Sequence, residues 1–251
     1  MKIELFDVGS LNCPRGLLRQ GDDLDREARL PIPAYVIETA GRRILVDTGP
    51  HPAAVADVAR HYGRPDAFGP FRLEQPQSIA EQVDLSTITQ VVLTHLHFDH
   101  AGALALVPAD VPLVIQRREW EAGHDPDAIA RNAFLPRDYA IGDRPLTLVD
   151  GDHDLLGDGA IRLLLTPGHT PGHQSVRVGE RLIIGGDVAP FASALDDARF
   201  PIFGDDLAAQ AASAQRLRAL RDAGVAVLPG HDPGALSAGI IVADATPAAL
   251  G

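Results

Sequence analysis

Cysteine is almost missing from this chain: Cys13 stands alone, so no internal disulfide can form, as expected in a reducing compartment. No stretch approaches the roughly 20 apolar residues needed to span a bilayer. The opening MKIELFDVGS, broken by Lys2, Glu4 and Asp7, lacks the apolar centre of a secretion signal. A cytoplasmic protein without a membrane partner is therefore expected. Basic residues are also scarce, 22 Lys and Arg against 34 Asp and Glu, and the net charge of −12 argues against nucleic acid as a partner. Bound divalent cations would offset some of these acids locally, so the charge does not by itself identify a substrate. What is present is ample core material. With 251 residues, 45% of them hydrophobic, residues 1–251 can form one domain of α/β or two-sheet type.

Histidine is concentrated in one place. Thr94-His95-Leu96-His97-Phe98-Asp99-His100-Ala101-Gly102 follows the apolar run Gln90-Val91-Val92-Leu93. The HxHxDH pattern gathers imidazole and carboxylate donors, which borderline divalent metals such as zinc prefer. On an extended chain alternate side chains share a face, so His95 and His97 point one way and Leu96 the other. A helical turn beginning near Asp99 would swing Asp99 and His100 toward a second, adjacent metal. The plain alternative is a strand end with solvated histidines, and the distant partners described next count against it.

Residues 2–7, 34–39 and 43–47 read as strands, whereas 9–30 is polar, mixed and too long for a tight turn, a candidate lid or pocket wall. Asp47 ends an apolar strand before Thr48-Gly49-Pro50. It either holds the free N–H of a metal-bound histidine or caps a turn. Residues 52–62 and 76–83 read as helices, with His51 and His61 solvated. The segment 63–75, carrying Phe68 and Phe71, lines an apolar pocket or packs a loop. A strand at 112–115 precedes helices at 117–122 and 127–134, where Trp120 and His124 are packing and surface residues. The acidic stretch 150–159 has the look of a calcium loop but puts Leu155 at the required glycine and Ile161 at the closing glutamate, so it is a turn with His153 exposed.

Strand 160–165 runs into Thr166-Pro167-Gly168-His169-Thr170-Pro171-Gly172-His173, where Pro171 and Gly172 oppose a helix shared by both histidines. His169 is the candidate ligand and His173 a loop-packing residue. A hairpin of 174–178 with 181–184 then delivers Gly185-Gly186-Asp187, echoing the stretch 41–47 that delivers Asp47. Asp187 either bridges two metals or caps the glycine turn. The helix 205–223 turns Leu207, Ala211, Ala214, Leu217 and Leu220 toward the core, and strand 225–228 leads to His231. His95, His97, Asp99, His100, His169, Asp187 and His231 all lie at or beyond a strand end, as ligands on loops at one sheet edge would. The tail 236–251 carries no signal.

HLHFDHAG, TPGHTPGHQS, GGD and LPGHD, together with LPIPAYVIETAGRRILVDTG, resemble the metallo-β-lactamase superfamily, and within it the N-acyl-homoserine lactonases, over most of residues 30–232. The resemblance implies an α/β fold, an αββα four-layer sandwich with its site at one edge of the paired sheets. It implies two zinc ions, His95, His97 and His169 on one, Asp99, His100 and His231 on the other, and Asp187 between them. Other divalent metals suit the same donors. By the same resemblance a hydroxide bridging the metals attacks a lactone carbonyl, and Asp99 passes its proton to the leaving oxygen. Phe98, with a wall from 9–30 or 63–75, would touch the acyl chain. One feature departs from the pattern: those lactonases usually carry a tyrosine three residues after the bridging aspartate, and here Pro190 stands there. Loss of such a donor costs on the order of 10²–10³ in rate unless another group, such as Tyr62 or Tyr139, replaces it.

Other readings share the scaffold: a thioesterase of glyoxalase II type, a phosphotriesterase or a β-lactamase. Zinc β-lactamases commonly lack the combination of His100 and Asp187. A diiron or purely metal-binding protein is the non-hydrolytic reading, but diiron relatives typically replace the second motif histidine with glutamate, and here it is His97. A small-molecule substrate is the expected partner, and the sequence carries no sign of oligomeric state.

Overall fold

The computed structural model describes residues 1–242; the rest of the C-terminal tail lies outside the described residues. The strands, in chain order, are β1 (Lys2–Pro14), β2 (Glu27–Thr39), β3 (Arg42–Val46), β4 (Arg72–Glu74), β5 (Gln90–Val92), β6 (Leu113–Gln116), β7 (Leu146–Val149), β8 (His153–Asp154), β9 (Ile161–Leu165), β10 (Gln174–Val178), β11 (Leu182–Ile184), β12 (Ala226–Leu228) and β13 (Gly239–Val242). One mixed sheet runs β13-β1-β2-β3-β5-β6-β7, with β4 pairing β1, and the other runs β12-β11-β10-β9-β8. Helices cover the outer face of each.

Strand periodicity builds the layers, because successive side chains face opposite sides. Ile44 and Val46 point into the apolar layer between the sheets, as do Val92, Ile161, Leu163, Leu182 and Ile184. Their neighbours Leu45 and Val91 pack under the helices of the first sheet. Leu164 and Ile183 meet Ala214 and Leu217 of the helix Leu207–Asp222 on the far side. The result is helix, sheet, sheet, helix: an αββα sandwich. Each fully buried aliphatic side chain contributes about 1.5–3 kcal/mol, so a polar substitution at Ile44 or Ile184 would strike the layer that both sheets share.

Three expectations need correction. Residues 9–30 are not an irregular loop: β1 continues to Pro14 and β2 begins at Glu27, leaving only a short helix, Arg15–Leu18, and a turn between them. The alternation was obscured by a register shift between Asp7 and Ser10. Leu207 is not core but 40% exposed at the start of its helix, whose buried face includes Gln210 and Ser213. His153 is half-buried rather than exposed. The unread tail also supplies a strand, Gly239–Val242, antiparallel to β1.

The topology also fixes where the site lies. β3, β5 and β6 run parallel, and their C-terminal ends lead to Asp47, to the HxHxDH segment and to Glu119. In the second sheet β9, β11 and β12 share a direction and lead to His169, Asp187 and His231. Loops beyond the carboxyl ends of strands are where open α/β sheets bind ligands.

Candidate metal centre

Backbone shape sets the ligand loops. After β5 the chain bends at Thr94 and is extended at His97, then enters a helical turn, Phe98–Ala101, that turns Asp99 and His100 inward. Gly168 opens the next loop at φ +130°, and a side chain there would meet the Gln210 backbone nitrogen at 2.0 Å. Gly230 is equally constrained, because a Cβ would lie 2.2 Å from Asp187 Oδ1. These contacts let His169 and His231 approach the strand-end motif.

The structure brings all seven predicted side chains together at one sheet edge. His95, His97 and His169 form one group of donors, Asp99, His100 and His231 another, and Asp187 joins His95 and His100 in a third. His97 Nδ1 is 3.0 Å from both His95 Nε2 and His169 Nε2. Asp187 Oδ2 lies 3.1 Å from His231 Nε2 and 3.5 Å from His169 Nε2, and its Oδ1 is 3.5 Å from His100 Nε2. Asp99 Oδ2 completes the second group, 3.6 Å from His231 Nε2 and 3.7 Å from His100 Nε2.

The remote nitrogens decide which atoms face inward. His97 Nε2 donates to the Asn132 carbonyl, His231 Nδ1 to the Pro31 carbonyl and His100 Nδ1 to Asp47 Oδ2, at 3.0, 2.9 and 2.8 Å. Thr94 Oγ1 donates to Asp47 Oδ2 and accepts from His95 Nδ1. Asp47, in a left-handed conformation at φ +58°, thus sits directly behind His100. Each ring held in this way turns its other nitrogen to the centre.

That arrangement fits metal ions. With His97 Nε2–H committed to Asn132, one lone pair on His97 Nδ1 is left facing two imidazole nitrogens, whereas a cation would accept all three. Ligands about 2.0–2.1 Å from a tetrahedral zinc lie roughly 3.3 Å apart, close to the observed spacings. His100 Nε2 and Asp187 Oδ1 are buried without hydrogen-bond partners. Burial, reinforced by neighbouring imidazoles, drives His95 protonation well below the usual histidine range. His169 is also driven well below that range, with burial outweighing the pull of Asp187. Burial opposes charge on His100 too, but Asp99, Asp187 and Asp47 outweigh it and push its pKa up to about 10. One half of the centre therefore offers neutral imidazoles, and the other attracts positive charge.

Residues not singled out from the sequence complete the support. Glu119, fully buried, accepts from the backbone N–H of Leu96, between two cluster histidines, and from Gly172 in the loop after His169. Gln210 donates to the carbonyls of Asp187 and Val188. His173 does more than pack a loop: its Nε2 accepts from the Asp187 backbone N–H while Nδ1 meets Thr166 Oγ1. A glutamine on the buried face of a helix was the one visible hint among these.

Above the centre lies a cavity of about 230 Å³ whose walls include Leu11, Leu18, Phe68, Phe71, Phe98 and Phe203. Both suspected segments, 9–30 and 63–75, therefore contribute. No tyrosine lines it: Tyr62 donates to Asp138 and Tyr139 to the Gly123 carbonyl. The other histidines stay apart. His51 and His61, half-buried rather than solvated, stack on each other at 4.6 Å, and exposed His124 meets the Trp120 carbonyl. Among the described residues no helix is long and apolar enough to cross a membrane.

Two sheets between helices define an αββα sandwich, and the imidazoles and carboxylates buried at one edge form groups that could hold metal ions. The chain belongs to the metallo-β-lactamase superfamily, whose family model matches residues 28–231. It is 29% identical to the N-acyl homoserine lactonase AttM of Azorhizobium caulinodans, over 94% of each chain. Its fold is similar to that of an N-acyl homoserine lactone hydrolase solved with the product N-hexanoyl-L-homoserine at the catalytic metal centre (TM-score 0.78, 23% identity, 92% and 93% of the two chains). It is also similar to AidC, a dizinc quorum-quenching lactonase in complex with a product (TM-score 0.65, 18% identity, 92% and 88% of the chains).

Proposed function

We propose that this chain is a binuclear zinc hydrolase that opens the ring of N-acyl homoserine lactones, with residues 1–251 acting as one catalytic domain. The observation that carries the reading is the convergence of two donor groups and Asp187 on the floor of an apolar cavity. The nearly full-length likeness to a named lactonase supports it. His95, His97 and His169 would hold one zinc, Asp99, His100 and His231 the other, and Asp187 would lie between them. Two zinc ions held there would polarise an ester carbonyl and bring the pKa of water toward neutrality.

The rest falls to the chain itself. Asp99 is buried yet lines the cavity. Its carboxylate takes a proton from the water that attacks the lactone carbonyl carbon. It returns that proton to the ring oxygen as the carbon–oxygen bond breaks, so ester and water become a hydroxy acid. Asp47 keeps His100 turned inward throughout. Phe98, 4.7 Å from Phe68 between ring centres, joins it and Phe71 in an apolar wall that takes the acyl chain and excludes water. With Pro190 in place of the phenol, the tyrosine assistance usual in such lactonases has no tyrosine counterpart among the described residues of this cavity.

The test is a metal count followed by a substrate panel on the purified protein: homoserine lactones, other lactones, S-lactoylglutathione, an organophosphate and a β-lactam. Two zinc per chain and fastest turnover of N-acyl homoserine lactones are expected. Rapid thioester hydrolysis with no lactone opened would overturn the substrate, and coloured iron in place of zinc would overturn the chemistry.

A further inference from the structure

Among the described residues, and apart from the histidines and aspartates of the centre, the polar side chains lining the cavity are Arg131 and Asn132. Asn132 is occupied. Its side-chain amide donates to the Ala128 carbonyl and to Asp205 Oδ1, and its own carbonyl holds His97. Arg131 is different. Its Nε donates to Asp205 Oδ1 at 3.0 Å, and among the described residues nothing accepts from Nη1 or Nη2. Asp205 is anchored in turn, since its backbone N–H donates to the His169 carbonyl at 3.1 Å. The guanidinium is thus oriented by a residue hung from a loop of the centre, with two nitrogens left to donate and its side chain 58% exposed at the cavity mouth. Its charge is already answered by Asp205. A neutral acceptor, rather than a second anion, suits what remains.

We propose that Arg131 determines specificity by donating to a carbonyl oxygen on the acyl side of the substrate, so that the site favours lactones carrying an amide beside the ring. The inference rests on the lactonase reading above. With the ring over the centre and the chain along the phenylalanine wall, the amide falls between them. An amide carbonyl entering an apolar cavity is penalised unless something donates to it. Among the described residues, Arg131 is the lining side chain free to do so.

The experiment compares kcat/KM for N-hexanoyl homoserine lactone with that for an alkyl γ-lactone of matched chain length, which lacks the amide. Both are measured on zinc-loaded wild type, Arg131→Ala and Arg131→Lys. The preference of the wild type for the amide-bearing lactone is expected to fall about 10- to 100-fold in Arg131→Ala, mainly through KM, with partial recovery in Arg131→Lys. Zinc content, measured in all three, separates this from damage to the centre. An equal loss on both lactones would mark Arg131 as a support for the His169 loop through Asp205 and overturn the assignment, as would an unchanged preference. A wild type that opens neither lactone would overturn the lactonase reading and this inference with it.

Discussion

A metal-bound imidazole almost always has its second nitrogen held by an acceptor, and Asp47 does this for His100 at 2.8 Å while also accepting from the backbone N–H and hydroxyl of Thr94. It does so from a left-handed backbone that aspartate tolerates better than most residues. Asp47→Asn keeps the shape and the backbone preference but removes the charge and one acceptor. Zinc affinity is expected to drop about 10- to 100-fold, read by competition with a chromophoric chelator. Unchanged affinity would reduce Asp47 to a turn cap. The strand-end aspartate was legible from its place after Ile44-Leu45-Val46, and the HxHxDH segment from spacing alone, because both signals are local. Glu119 and His173 were not: they act on backbone N–H groups of Leu96, Gly172 and Asp187, which no side-chain pattern reveals.

Between elements, the cavity roof depends on a charged clasp. The turn after β1 carries Arg15, Arg19 and Asp22, and the segment before the helix Leu207–Asp222 carries Asp197 and Arg199. Asp22 accepts from Arg15 and Arg19 at 2.6 Å and from Arg199 at 2.7 Å, while Arg19 also pairs with Asp197. Backbone bonds from Gln20 to the Phe200 carbonyl and from Ile202 to the Leu17 carbonyl continue the seam. Leu18 and Phe203, each next to a residue of the seam, both line the cavity. Asp22→Ala leaves three arginines facing one another without their shared carboxylate. KM is expected to rise several-fold for long-chain lactones and little for short ones, with kcat nearly constant; a chain-length profile identical to wild type would rule the clasp out. That 9–30 could wall a pocket was legible, but its ion pairs and strands were not, because a polar stretch broken by the β1 register shift reads as loop, whereas the short strands ending in histidine or aspartate announce themselves. The phenylalanines of 63–75 were visible as a question, and the contact of Phe71 with Phe98 and Phe203 answers it.

Across the whole molecule, the two sheets meet mainly through a non-directional apolar layer, with Gln174 tying them at the site edge through bonds to the Leu93 and Thr94 carbonyls. Each donor group draws on both: His95 and His97 come from the first sheet and His169 from the second, as Asp99 and His100 do with His231. A cation in either place would pin one sheet to the other, and Asp187 would reach both. Metal binding to the folded chain alone stabilises it by about 4 kcal/mol per site at a thousand times Kd. Two sites give about 8 kcal/mol, and at about 2–4 °C per kcal/mol for a chain of this size the melting temperature should fall on the order of 15–30 °C when a strong chelator strips the protein. Zinc added back should restore it. A thermal scan showing less than a few degrees between stripped and loaded protein would mean that the sheets are held by their apolar layer alone, and that the seven side chains at their edge do not join them.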